Sequence, residues 1–162
     1  MSVVLARYNR WMNERLFDVC GQLSDQERKL DRGAFFKSIH STLNHILLGD
    51  KVWLARLNGE KYSVPRLDIE LYADFGELRQ ARQMLDKDIE TWAAGLSDEM
   101  LAGTLEYTSI VDSRKHKYLM SVAVTHFFNH QTHHRGQITT LLSQCGLDYG
   151  ITDLIGMPGM GA

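Results

Sequence analysis

The sequence predicts an all-α fold, a four-helix bundle with a long crossover connection, and three of its features lead there. Four segments of roughly twenty residues repeat apolar side chains at three- and four-residue spacing, as a helix with one buried face requires. Only Pro65 and Pro158 interrupt the chain, and both fall outside those segments. The stretch between the second and third segments is too long for a simple turn between neighbouring helices.

The first helix is expected from about Val3 to Leu23, with Leu5, Tyr8, Met12, Leu16, Val19 and Leu23 along its buried stripe. Ser24-Asp25-Gln26-Glu27 reads as a capping box opening a short helical turn, which Asp31-Arg32-Gly33 ends. The second helix is predicted from Phe36 to Leu57, burying Ile39, Leu43, Ile46, Leu47, Trp53, Leu54 and Leu57 and stopping at Asn58-Gly59. Residues 60–71, with Pro65, form the crossover. A third helix follows from Ala73 to Ala94, with Leu78, Ala81, Leu85, Ile89 and Trp92 facing inward and its many charges expected in solvent. Alternation in Thr104-Leu105-Glu106-Tyr107-Thr108 and the β-prone Lys117-Tyr118-Leu119 suggest a small hairpin before the last helix. That helix should run from Met120 to Gln144 and stop at Cys145-Gly146, ahead of a glycine-rich tail.

At 162 residues the chain is read as one domain, 1–162, large enough to bury roughly 70% of its unfolded surface without disulfides. A charged fraction of 23% and a net charge of −2 give no electrostatic bias towards nucleic acid or anionic membrane, so neither is an expected partner. Trp11, Trp53 and Trp92 read as core or interface anchors, since no basic tract accompanies them. Cys20 and Cys145 stand outside any CxxC motif and read as reduced core thiols, and no segment looks like a leader or a membrane span; a cytoplasmic protein is expected.

Four of the seven histidines fall between His126 and His134. In a helix each step of four residues turns about 40° past a full circle, so His126, His130 and His134 share a slowly drifting stripe while His133 points elsewhere. Imidazoles at i and i+4 can hold one divalent metal, although the same spacing also suits a polar helical face. Two ligands leave such a site incomplete. His45, inside the second helix at the edge of its apolar stripe, is the best donor of a third, though taken alone it reads more readily as a satisfied core histidine. His40, near the helix start, is a weaker candidate, and His116 and His133 read as surface residues. His126, flanked by Phe127 and Phe128, suits packing or outer hydrogen bonding better than ligation. Asp50 and Arg135 are read as an ion pair across helices or as supports for a ligand, and Tyr8 and Asn9 as buried groups needing partners or facing a cavity.

Three motifs together resemble the DinB/YfiT-like family over nearly the whole chain. They are Tyr8-Asn9-Arg10-Trp11-Met12-Asn13-Glu14-Arg15-Leu16, then Ser41-Thr42-Leu43-Asn44-His45-Ile46-Leu47-Leu48-Gly49-Asp50 with Trp53 and Arg56, and above all Asn129-His130-Gln131-Thr132-His133-His134-Arg135-Gly136-Gln137-Ile138. Gly150-Ile151-Thr152-Asp153-Leu154 in the tail continues the likeness. The resemblance implies a crossed four-helix bundle, often a homodimer, holding a divalent metal on His45, His130 and His134. It also implies metal-assisted transferase chemistry with a low-molecular-weight thiol acting on a small-molecule substrate.

Three neutral imidazoles leave a coordination position open, where a metal can activate a thiol or water. The helix lacks HExxH, which counts against a metalloprotease. Imidazoles alone do not select the ion; zinc or nickel is expected. A metal-dependent hydrolase, or a non-catalytic bundle that a metal stabilises or that senses one, remains as an alternative: an open coordination position beside a pocket favours an enzyme, a closed shell the non-catalytic reading.

Overall fold

A computed structural model describes residues 1–160. Four long helices form the body: α1 (Ser2–Cys20), α3 (Ile39–Leu57), α4 (Phe75–Ala94) and α6 (Met120–Gln144). Between them lie the short helices α2 (Asp25–Lys29) and α5 (Asp98–Ala102) and an antiparallel hairpin, β1 (Thr104–Thr108) with β2 (Lys115–Leu119). A 3-10 turn, Leu154–Gly156, sits in the tail. The bundle, the hairpin and the limits of the last helix follow the sequence expectation; α5 and the 3-10 turn were not anticipated.

Side-chain chemistry explains where the helices begin. The Ser24 hydroxyl accepts from the Glu27 amide while the Glu27 carboxylate accepts from the Ser24 amide, the reciprocal capping box. Asp74 caps α4 through the Glu77 amide at 2.8 Å. Ser38 caps α3, which therefore starts three residues after the expected Phe36. Lys37 has φ +66°, a left-handed conformation no helix continues through, so Phe36 belongs to the preceding turn.

In the bundle α1 packs on α4 and α6, and α3 on α6 and α4. Asn9 and Asp18 of α1 meet Asp86 and Arg79 of α4, so those helices are antiparallel. His45 and Trp53 of α3 meet His134 and His126 of α6, another antiparallel pair. Asp50 meets Arg82, and His40 meets Tyr72 just ahead of α4, so α3 and α4 run parallel. Parallel neighbours need a connection that travels a helix length back, and residues 58–74 supply it along the side of α3.

The apolar core is built from Met12, Leu16, Ile39, Leu47, Leu78 and Ile138, all essentially inaccessible to solvent. Beside it lies a buried polar layer drawn from all four long helices: Asn9 and Asn13, Asp50, Arg82 and Asp86, Gln131 and Arg135. Arg82 binds Asp50 and lies 2.9 Å from Asp86. Asn9 and Asn13 donate to the Asp86 carboxylate at 3.1 and 3.0 Å, and Arg135 donates to the side-chain Oδ1 of Asn9. The expectation that the charges of α4 all face solvent is thus corrected, and the suggested Asp50–Arg135 pairing gives way to Asp50–Arg82. Burial raises the Asp50 carboxyl to about 6 against the opposing attraction of Arg82, and raises Asp86 for the same reason.

Removing one partner of such a set strands the others without water. Arg82→Met is expected to lower unfolding stability by about 3–5 kcal/mol, or on the order of 10 °C in Tm, with a smaller loss for Asp50→Asn. Denaturant and thermal melts of the two variants measure this; a loss within about 1 kcal/mol for Arg82→Met would show that the layer tolerates an uncompensated carboxylate.

Candidate metal centre

Antiparallel packing of α3 against α6 brings the i, i+4 pair His130 and His134 opposite His45. Their ligand atoms lie within 4.8 Å of one another, the only such cluster of potential metal ligands among the described residues. The Nε2 of His134 stands 3.2 Å from that of His45 and 3.1 Å from that of His130. These are the three residues the family likeness singles out.

Outer contacts fix the rings. His45 Nδ1 lies 2.8 Å from the carbonyl of Leu67 in the crossover; a carbonyl only accepts, so Nδ1 carries the proton and Nε2 keeps its lone pair. His134 Nδ1 donates in the same way to Gln137 Oε1, one turn on, at 2.8 Å. Two lone pairs thus face each other at close range, an arrangement that repels unless a cation or a proton lies between them. His130 Nδ1 is buried without a partner among the described residues. The Phe36 ring stacks on His45 with centroids 3.8 Å apart and meets His134 edge-on at 5.5 Å, so the turn before α3 covers one side of the cluster. Gly49 covers another: a Cβ there would come within 2.9 Å of His130 Cε1.

Burial is the main cause that lowers the proton affinity of all three imidazoles, and for His130 the neighbouring His134 and His45 add to it, bringing it down to about 3. The set is therefore neutral at pH 7, the protonation state in which imidazole binds a metal.

The other histidines add no ligand atom to the cluster. His126 meets Trp53 at a tilt, with centroids 4.6 Å apart, and is exposed, while His133 is exposed on another face. His40 is fully buried and bonds the Tyr72 carbonyl at 2.9 Å, and His116 belongs to the hairpin. Asn9 is an ordinary buried hydrogen-bonding residue, and the Tyr8 hydroxyl donates to the Thr152 carbonyl of the tail. Cys20 is buried and Cys145 half-buried, both as free thiols. Phe36, Gly49 and Leu67 were not foreseen as parts of the site. A lone glycine inside a helix was the available signal for Gly49, because it costs helix stability and so points to a close approach. The carbonyl of Leu67 carries no signature in its side chain.

A family model described as "DinB family" matches residues 1–160. The chain belongs to the DinB family. It is 28% identical to Protein DinB of Bacillus subtilis (strain 168) over 156 residues, covering 91% of this chain and 90% of that protein. Its fold is similar to the crystal structure of a DinB-like protein from Bacillus cereus ATCC 10987, at 18% identity and a TM-score of 0.65, over 87% of this chain and 90% of the other. Among the described residues of this DinB-family chain, no helix is long and apolar enough to cross a membrane.

Gly49→Ala separates helix stability from metal affinity. Alanine favours the helix by about 1 kcal/mol, yet its Cβ displaces the His130 ring. The expected outcome is a Tm of the metal-free protein that is unchanged or higher, with metal affinity at least about tenfold weaker by chelator competition. Unaltered affinity would show that the ring does not depend on that space.

Acid should destabilise the metal-free protein through the same cluster. The unfolded chain protonates these imidazoles near 6.5, while the folded chain holds them neutral to lower pH. At these three sites the unfolded state then binds more protons, so their contribution to stability falls as pH drops below about 6.5, while the raised carboxyls of Asp50 and Asp86 contribute with the opposite sign. From pH 7.5 to 5 the Tm of the unaltered protein should therefore decline relative to that of His130→Ala; a constant difference would place the titration elsewhere.

Proposed function

We propose that the chain is a metal-dependent enzyme, and that its reaction transfers a low-molecular-weight thiol to a small electrophilic substrate. One observation carries the metal reading: the δ-protonated rings of His45 and His134 turn their ε lone pairs towards each other and towards His130. Zinc or nickel fits this imidazole set, since both take neutral nitrogen donors. Held there, such an ion supplies a Lewis acid that keeps a bound thiol as thiolate at neutral pH.

The protein's own contribution is orientation and neutrality. Leu67 and Gln137 hold two rings in the ligating tautomer, and Gly49 leaves room for the third. Because burial keeps the three imidazoles uncharged at neutral pH, no proton has to leave them before an ion binds. Three protein ligands are also the number that leaves a position for an exogenous molecule. Among the described residues the ligand cluster consists of imidazoles alone, and the carboxylate that acts on His45, Asp68, is exposed and engaged by Arg66. That favours a thiol over water as nucleophile, because a thiol needs less help to ionise.

Metal analysis of protein purified without an affinity tag tests the site, with about one divalent ion per chain expected. His45→Ala, His130→Ala and His134→Ala should each lose most of it; full metal content in all three would place the site elsewhere. Turnover of electrophilic substrates should then require an added cellular thiol and disappear in His130→Ala. Thiol-independent turnover would point to water as the nucleophile and so to a hydrolase.

A further inference from the structure

Past the imidazole cluster, the facing sides of α3 and α6 continue towards the hairpin. His130 contacts His126 at 5.8 Å between ring centroids, His126 contacts Trp53 at 4.6 Å, and Trp53 meets Tyr107 of β1 edge-on at 5.4 Å. Beyond that aromatic run a cavity of about 640 Å³ opens between the end of α3, the start of the crossover and the hairpin. Its volume is within the range of small-molecule sites.

Arg56 lines this cavity, and its situation is unusual. The guanidinium lies over two rings, 4.9 Å from the centroid of Trp53 and 4.3 Å from that of Tyr107. It is half-buried and makes no hydrogen bond or ion pair with any described residue, although every other arginine of the bundle interior has a polar partner. Lys117 is paired with Glu106 at 2.6 Å, so Arg56, Lys61 and Lys115 face the single carboxylate of Glu60. The lining is thus net positive on a chain whose net charge is −2. Tyr107 and His116, cross-strand partners in the hairpin, stack with their rings 22° from parallel and centroids 5.4 Å apart, and both line the cavity.

We infer that this cavity is a binding site for a small aromatic carboxylate, with the carboxylate on Arg56 and the apolar body beside the Tyr107–His116 stack. A guanidinium held against two rings and engaged by no acceptor keeps N–H groups free, and they match a carboxylate with two parallel hydrogen bonds. Trp53 and Tyr107 beside Arg56 exclude water from one side of the pair and strengthen it. As a binding site the cavity stands without a metal; only its role as the seat of the substrate's acidic end rests on the metalloenzyme reading.

Benzoate and benzamide share a shape and differ in charge, so the pair isolates the role of Arg56. In NMR titrations of the full chain, benzoate should saturably shift the Arg56 side-chain and Trp53 indole signals, and benzamide should leave them in place. Arg56→Gln should weaken benzoate binding by roughly tenfold or more, and Arg56→Lys by less, since it keeps the charge and loses the fork. Addition of a chelator should leave benzoate affinity unchanged. Equal responses to the two probes, shifts confined to other parts of the chain, or benzoate binding lost with the metal would each overturn the assignment. The shifts in the unaltered protein decide the matter even if an Arg56 variant fails to fold.

Discussion

The architecture rests on the buried ion set of Asp50, Arg82 and Asp86, with Asn9, Asn13 and Arg135 around it. Apolar side chains would allow four helices to slide or rotate by a residue at modest cost, because one leucine replaces another in a core without a large penalty. Buried charges do not permit that. Each carboxylate in this layer finds its donors on another turn or another helix, and a one-residue slip of α4 against α1 or α3 would leave an unpaired charge in a low-dielectric interior. The layer contributes little net stability for its size, since desolvation offsets most of the attraction; what it fixes is register.

Register in turn builds the candidate metal centre. On α6 the residues alternate between two duties: His130 and His134 meet His45, while their successors Gln131 and Arg135 turn into the polar layer. On α3, His45 belongs to the cluster, Gly49 supports it and Asp50 enters the layer. The Asp50 ion pair on α3 and the Arg135 hydrogen bond on α6 therefore set the rotation of the two helices, and the imidazoles on the neighbouring face inherit their alignment. Precise ligand placement through rigid helices is the arrangement metal sites in bundles depend on.

Much of this was legible in the sequence, for identifiable reasons. The long helices announce themselves by period, and α6 ends where Cys145-Gly146 says it must. The pairing of His130 with His134 follows from spacing, whereas His45 needed the likeness to a family to stand out from an ordinary core histidine. Arg82 and Asp86 were hidden by composition: at i and i+4 on a helix rich in charge they look like one more solvated pair, and only the third dimension shows them buried with Asp50. Phe36 was misplaced because its spacing continues the apolar rhythm of α3, while the left-handed backbone at Lys37 leaves no mark in a lysine.

The crossover gives a different kind of consequence. His45 and His40 bond the carbonyls of Leu67 and Tyr72, and Asn44 bonds the amides of Leu71 and Tyr72 together with the Tyr72 carbonyl. In each of these bonds the helix contributes the side chain and the crossover contributes only main chain. Any residue except proline offers the same amide, and every residue offers the same carbonyl. The crossover can therefore change its side chains at these points without loosening the ring they orient, so the chemistry of the site and the wording of the segment beside it are free to drift apart.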